Sequence, residues 1–178
     1  MMRLNELYDR YGVRVNAFSA TALFERYEAF GFLYPDKRRA LAPYMDVVLE
    51  NWQKALTGTA DVFRVLTVEK DAAWATVMSW RSTPGGFHSQ HLVSSGVPLL
   101  SCLVMLAEQA SWIHTPDIAS GQNWFRPVNK YTSRVFGAAV QTIGSRVAAL
   151  ATWSYLALPL ERLGALRGGG NCVFRCAT

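Results

Sequence analysis

Cysteine is scarce in this chain: Cys102, Cys172 and Cys176 are the only three among 178 residues. An odd, low count offers no disulfide framework and points to a reducing, cytoplasmic setting. Charge is also sparse, at 17% of residues against 51% hydrophobic, which excludes an intrinsically disordered chain. No long hydrophobic run exists either. Residues 97–113 come nearest, but Ser101, Glu108, Gln109 and Ser111 interrupt them, so a transmembrane segment is not expected. The opening MMRLNELYDRYG lacks the apolar centre of a secretory leader. No Gly-x-Ser-x-Gly element, phosphate-binding Walker sequence, dinucleotide fingerprint or His-Glu-x-x-His is present. Cys172 and Cys176 are too few for a structural zinc site, so no metal is expected. A net charge of +5 without a recognition motif makes a nucleic-acid partner an unsupported reading. Lys37-Arg38-Arg39, beside Asp36, reads as a solvated helix face. The sequence gives no oligomeric state.

Aromatic residues are plentiful, with six Trp, seven Tyr and nine Phe, enough for a bulky core or a ring-lined pocket. Residues 1–12 read as a short helix or loose arm, and the alternation over 13–18 reads as a strand. Ser19 or Thr21 caps a helix over 20–30 that Gly31 stops. An aromatic connector leads to Pro35. A helix then runs to about residue 56, with Leu41, Tyr44, Met45, Val48, Leu49 and Trp52 facing the core and Pro43 marking a kink or break. Residues 62–68, 73–81 and 87–94 read as three strands joined by short turns, hence an antiparallel meander. Pro98 opens a helix to 113. A strand over 123–126, a helix over 130–143 and a strand over 146–158 follow. A glycine-rich stretch over 163–170 and an edge strand over 171–176 end the chain. The expected fold is α/β (α+β): a mixed, mostly antiparallel central sheet flanked by helices. The expected organisation is an arm at 1–12, one domain at 13–160 and a tail at 161–178.

Two landmarks carry a resemblance. Val93-Ser94-Ser95-Gly96-Val97-Pro98 opens the helix after the fourth strand. Asn129-Lys130-Tyr131-Thr132-Ser133-Arg134-Val135-Phe136 opens the helix after the fifth. With the element order, over about residues 13–160, they make the chain resemble the GNAT superfamily of acyl-CoA-dependent N-acyltransferases. The resemblance implies an acyl-CoA, or another acyl thioester, held in a V-shaped opening between the fourth and fifth strands. It places the pyrophosphate on backbone amides of Val93, Ser94, Ser95, Gly96 and Val97, with Asn129 beside the cofactor. Free N–H groups and a helix dipole attract phosphate oxygens, and Arg126 could reach one as well. The implied reaction moves an acyl group to an amine, on a small molecule or a protein. The loop has one glycine, Gly96, and no arginine, and Phe136 stands where the family often carries a tyrosine acid. These departures leave a second reading, a non-catalytic module of the same fold that binds a ligand or protein.

His91 and Glu69 are the candidate bases for the amine. Imidazole titrates near neutrality, and the family often uses a glutamate on a neighbouring strand. His88 lies close by, but as the segment reads as a strand, His88 and His91 are expected to point to opposite faces. Glu108, interrupting an apolar helix, is expected to face solvent or to pair with an arginine. Trp74, Trp80, Trp124 and Phe125 read as core or as the wall of a substrate channel.

Overall fold

The computed structural model describes residues 4–152. Helix α1 (Leu4–Tyr11) leads into strand β1 (Val13–Val15), shorter than the expected 13–18. Asn16 ends the strand by turning left-handed, with φ +48°. Its side chain then replaces the ladder: Val65 N–H donates to Asn16 Oδ1 at 2.7 Å, and Asn16 Nδ2 donates to the Leu56 carbonyl at 3.1 Å. Helix α2 (Ala20–Ala29) carries the expected cap, with Ser19 Oγ accepting from Ala22 N–H at 3.2 Å.

Helices α3 (Pro35–Leu41) and α4 (Met45–Thr57) are separated by a 3-10 turn (Ala42–Tyr44). Pro43 sits in that turn, where a continuous helix would lose the hydrogen bond its missing N–H cannot make. The break swings Tyr44 outward to 64% exposure, against the expectation that it faces the core. Leu41, Met45, Val48, Leu49 and Trp52 do pack on the core.

Strands β2 (Phe63–Lys70), β3 (Ala73–Thr83) and β4 (Gly86–Ser94) form the expected antiparallel meander. Strand β5 (Ser120–Asn123) joins β4 in parallel, giving the order β1-β2-β3-β4-β5. The fold is therefore mixed α/β, with a mostly antiparallel five-stranded sheet flanked by helices. One sheet face sets Val65, Trp74, Met78 and Val93 against Leu23, Phe24, Tyr27 and Leu56 of α2 and α4. The other meets α5 (Pro98–Ile113), where Trp112 stacks on Phe87 at 5.1 Å and its indole N–H donates to Ser79 Oγ at 2.9 Å. No helix among the described residues is long and apolar enough to cross a membrane.

Tyr27 is fully buried, yet its hydroxyl has no hydrogen-bond partner among the described residues. An unsatisfied buried hydroxyl costs about 1–3 kcal/mol. Tyr27→Phe keeps the ring and removes the orphan, so thermal unfolding should show an unchanged or higher Tm. A clear drop would show that the hydroxyl has a partner.

Contacts divide the chain into two compact units, Met1–Lys130 and Tyr131–Thr178. The expected helix over 130–143 is interrupted: α6 (Lys130–Thr132), a π-helical turn (Ser133–Gly137) and α7 (Ala138–Ile143). Gly137, a poor helix former, closes the wide turn. Residues 146–152 are turn and irregular chain, not the start of a strand. They are alanine-rich, and alanine has little preference for a pleated surface. The rest of that expected strand, the glycine-rich stretch and the final strand with Cys172 and Cys176 lie outside the described residues.

Candidate functional site

The parallel seam between β4 and β5 is the feature that organises the site. It pairs Gly86, Phe87, His88 and Ser89 with Ser120, Gly121, Gln122 and Asn123, and then it stops. The paired strand lies earlier than the expected 123–126. Gly121 explains the shift, because a Cβ there would sit 2.6 Å from Phe87 Cζ. Only glycine lets the incoming chain pass that ring. Beyond Ser89, strand β4 runs on through residues 90–94 with no strand on its outer side among the described residues.

A β-bulge falls within that extension. Thr76 faces Val93 and Met78 faces Gln90, so Val77 alone opposes both His91 and Leu92. His91 takes the extra turn, with φ +53°. The bulge overturns the expectation that His88 and His91 point to opposite faces. His88 stacks on Trp80 at 4.4 Å and meets the edge of Trp124 at 5.1 Å. His91 lies nearly parallel to Trp52 at 5.6 Å and touches Phe32 at 4.7 Å and Tyr27 at 5.8 Å. Trp52 and Trp80 both pack on the α2–α4 core, so both imidazoles lie on that face.

Burial sets the protonation of these rings. It pushes His91 down to about 4, and the Lys37 ammonium adds to the shift. Burial lowers His88 as well, opposed by a hydrogen bond to Gln122 that favours the protonated ring. His91 Nδ1 and His88 Nε2 are buried without hydrogen-bond partners among the described residues. His91 is thus a neutral imidazole across the physiological range.

The structure does not bring Glu69 to His91. Glu69 is the penultimate residue of β2, with β3 between it and β4, and its carboxylate is clamped by Arg14 and Arg26. The loop after β4 is partly committed too. Ser95 N–H donates to the Trp74 carbonyl at 2.8 Å, and Ser95 Oγ accepts from Trp74 N–H at 2.8 Å. Val93 is buried in the core, and Ser94 Oγ bonds Ser101 Oγ at 3.0 Å. Gly96 follows with φ +89°, and Val97 occupies the N-cap of α5 with no side-chain cap. Arg126 Nη2 donates to Tyr34 Oη at 3.1 Å. Asn129 N–H closes a turn onto the Arg126 carbonyl at 2.9 Å.

Two residues depart from their sequence reading. Lys37 is not simply solvated: it is half-buried, with Nζ 3.9 Å from the Phe32 ring centroid. Glu108, expected at the surface or on an arginine, is wholly buried on the α5 face, where it accepts from Ser89 Oγ and from Gln109 Nε2 at 2.6 Å. Burial raises its pKa, opposed by bonds from Ser89, Ser79 and Gln109. The folded state then keeps a proton that the unfolded chain releases near its ordinary value of 4.5. Stability from this group is full below that value and falls as pH rises toward the folded pKa. Glu108→Gln should flatten that fall, read as Tm from pH 5 to 8. An unchanged slope would place the proton elsewhere.

No family model matches the chain, and no curated protein resembles it in sequence. Among solved structures it is similar to an integron cassette protein, VCH_CASS6, from the mobile metagenome of V. cholerae. The two share 13% identity with a TM-score of 0.47, over 88% of this chain and 98% of the other. Among the described residues, no group of three or more His, Cys, Asp or Glu side chains could hold a metal.

Proposed function

We propose that the protein is a cytoplasmic N-acyltransferase of the GNAT type, which takes an acyl group from acyl-CoA or a related thioester and places it on an amine. The observation that carries this reading is the parallel β4–β5 pair that ends at Ser89 and Asn123 while β4 continues past it through a bulge. The half-buried stretch of β4 beyond Ser89, unpaired on its outer side among the described residues, would offer backbone donors and acceptors to an extended ligand, as an added strand would use them. The pantetheine arm of a thioester has amides spaced for such pairing. Its phosphates would lie at the uncapped start of α5, near Gly96 and Val97, with Asn129 alongside.

The thioester carbonyl then sits near the bulge. The amine nitrogen attacks that carbon, the C–N bond forms, the C–S bond breaks, and the thiolate leaves. The attacking nitrogen becomes acidic as it gains positive charge, and a neutral imidazole takes its proton, directly or through water. The bulge at His91, which turns its neutral ring among Trp52 and Phe32, supports it as that base. Glu69, held by two arginines, is the weaker choice. The proton returns to the departing thiolate. Calorimetric titration with acetyl-CoA and longer acyl-CoAs tests the reading: saturable binding is expected, and no binding of any thioester would sink it.

The second reading is a binding module without turnover. It is favoured by one observation: Ser95 N–H, expected on the pyrophosphate, is committed to Trp74. Under that reading, Ser95→Trp and Asn129→Ala leave the cellular activity unchanged while surface substitutions abolish it.

A further inference from the structure

Helix α3 carries three consecutive cations, and their environments differ. Arg38 pairs with Glu28, and Arg39 pairs with Asp36 in its own helix. Lys37 has no carboxylate within ion-pair distance among the described residues, and neither has Arg126. Both instead lie on one short aromatic connector. Lys37 Nζ sits over Phe32 at 3.9 Å, while Arg126 donates to the Tyr34 hydroxyl and lies 5.7 Å from that ring. Phe32 in turn touches His91 at 4.7 Å, so Lys37 borders the ring-lined site beside the bulge, and Arg126 lies on the same connector two residues further on.

Their proximity has a cost. Burial lowers the Lys37 pKa, and the charge of Arg126 lowers it further. Two like charges held near each other, one of them half-desolvated, are unfavourable unless an anion joins them. An arginine offers a planar fork for a carboxylate and a lysine offers a point charge. The neighbouring groups are rings and not rows of backbone amides, which suits a carboxylate on an apolar or aromatic body better than a phosphate.

We infer that Lys37 and Arg126 receive a carboxylate of the acceptor, so that the acceptor is a small amino-carboxylate and not a protein lysine. This rests on the acyl-transfer reading for the amine, although the carboxylate receptor can be measured without any thioester. Phenylacetate, phenylacetamide, L-phenylalanine, L-phenylalaninamide and inorganic phosphate would be titrated into the full chain by calorimetry. The carboxylates should bind saturably and their amides at least about tenfold more weakly. Lys37→Met and Arg126→Gln should each weaken carboxylate binding by about tenfold, the loss of one charge-assisted contact, and leave the amides unaffected. Circular dichroism would show that both variants are folded.

Equal binding of acids and amides, or no binding of the acids, overturns the inference. So does phosphate binding more tightly than every carboxylate. Carboxylate binding with no thioester binding would overturn the acyl-transfer reading instead. Thioester binding with no carboxylate preference would overturn only the receptor.

Discussion

Gly121→Val should abolish thioester binding and lower stability by about 1–3 kcal/mol, the usual cost of overpacking a filled site. The new Cβ would lie 2.6 Å from Phe87 Cζ and 2.8 Å from Cε1. Phe87 cannot swing aside, because it is buried and stacked at 7° on Trp112, whose indole N–H is tied to Ser79. The strain is relieved only if β5 lifts from β4, which destroys the seam. Denaturant unfolding with a thioester titration measures both effects. Adding Phe87→Ala to Gly121→Val removes the clashing ring, so binding should partly return. Failure of the double variant to improve on the single one would show that the glycine acts through something other than space.

The second large effect concerns His91. Its folded pKa of about 4 lies below the ordinary 6.5, so the unfolded chain binds the extra proton first as pH falls. Stability from this group is full above 6.5 and is lost as pH drops through that window toward 4. At about 1.4 kcal/mol per pH unit, the loss is about 3–4 kcal/mol across the window. Glu108 works in the opposite sense, so the effect is cleanest in a Glu108→Gln background. There, His91→Asn, which tolerates the left-handed backbone, should remove the acid-side loss while lowering Tm at neutral pH through the emptied ring site. A catalytic consequence follows. His91 stays unprotonated down to about pH 5, so kcat/KM should show no acid limb near 6.5 from this residue. A limb there that vanishes in His91→Asn would contradict the burial.

The meander over β2–β4 was legible because alternation and short turns are local signals. The Ser19 cap and the Pro43 break were legible for the same reason. The position of β5 was not, since it depends on Gly121 meeting a ring from a strand far away in sequence. Neither was the bulge, which is defined by the register of β4 on β3, so the two histidines were assigned to opposite faces. Lys37 looked like one charge in a basic triplet; its place over Phe32 and near Arg126 is a long-range contact. Glu108 looked solvent-facing because a lone carboxylate in an apolar helix is costly to bury, and the serines and Gln109 that bond it sit at unremarkable positions. His91 and the α5 junction were singled out from local composition and order. The partners that tune them came from the fold.

Amide hydrogen exchange, followed with and without a saturating acyl-CoA, tests the docking of a thioester on β4 most directly. Protection should rise at the amides of residues 90–94 and at Gly96–Val97, and stay unchanged on β2. Protection confined to other elements, or none at all, would contradict docking along the open edge of β4.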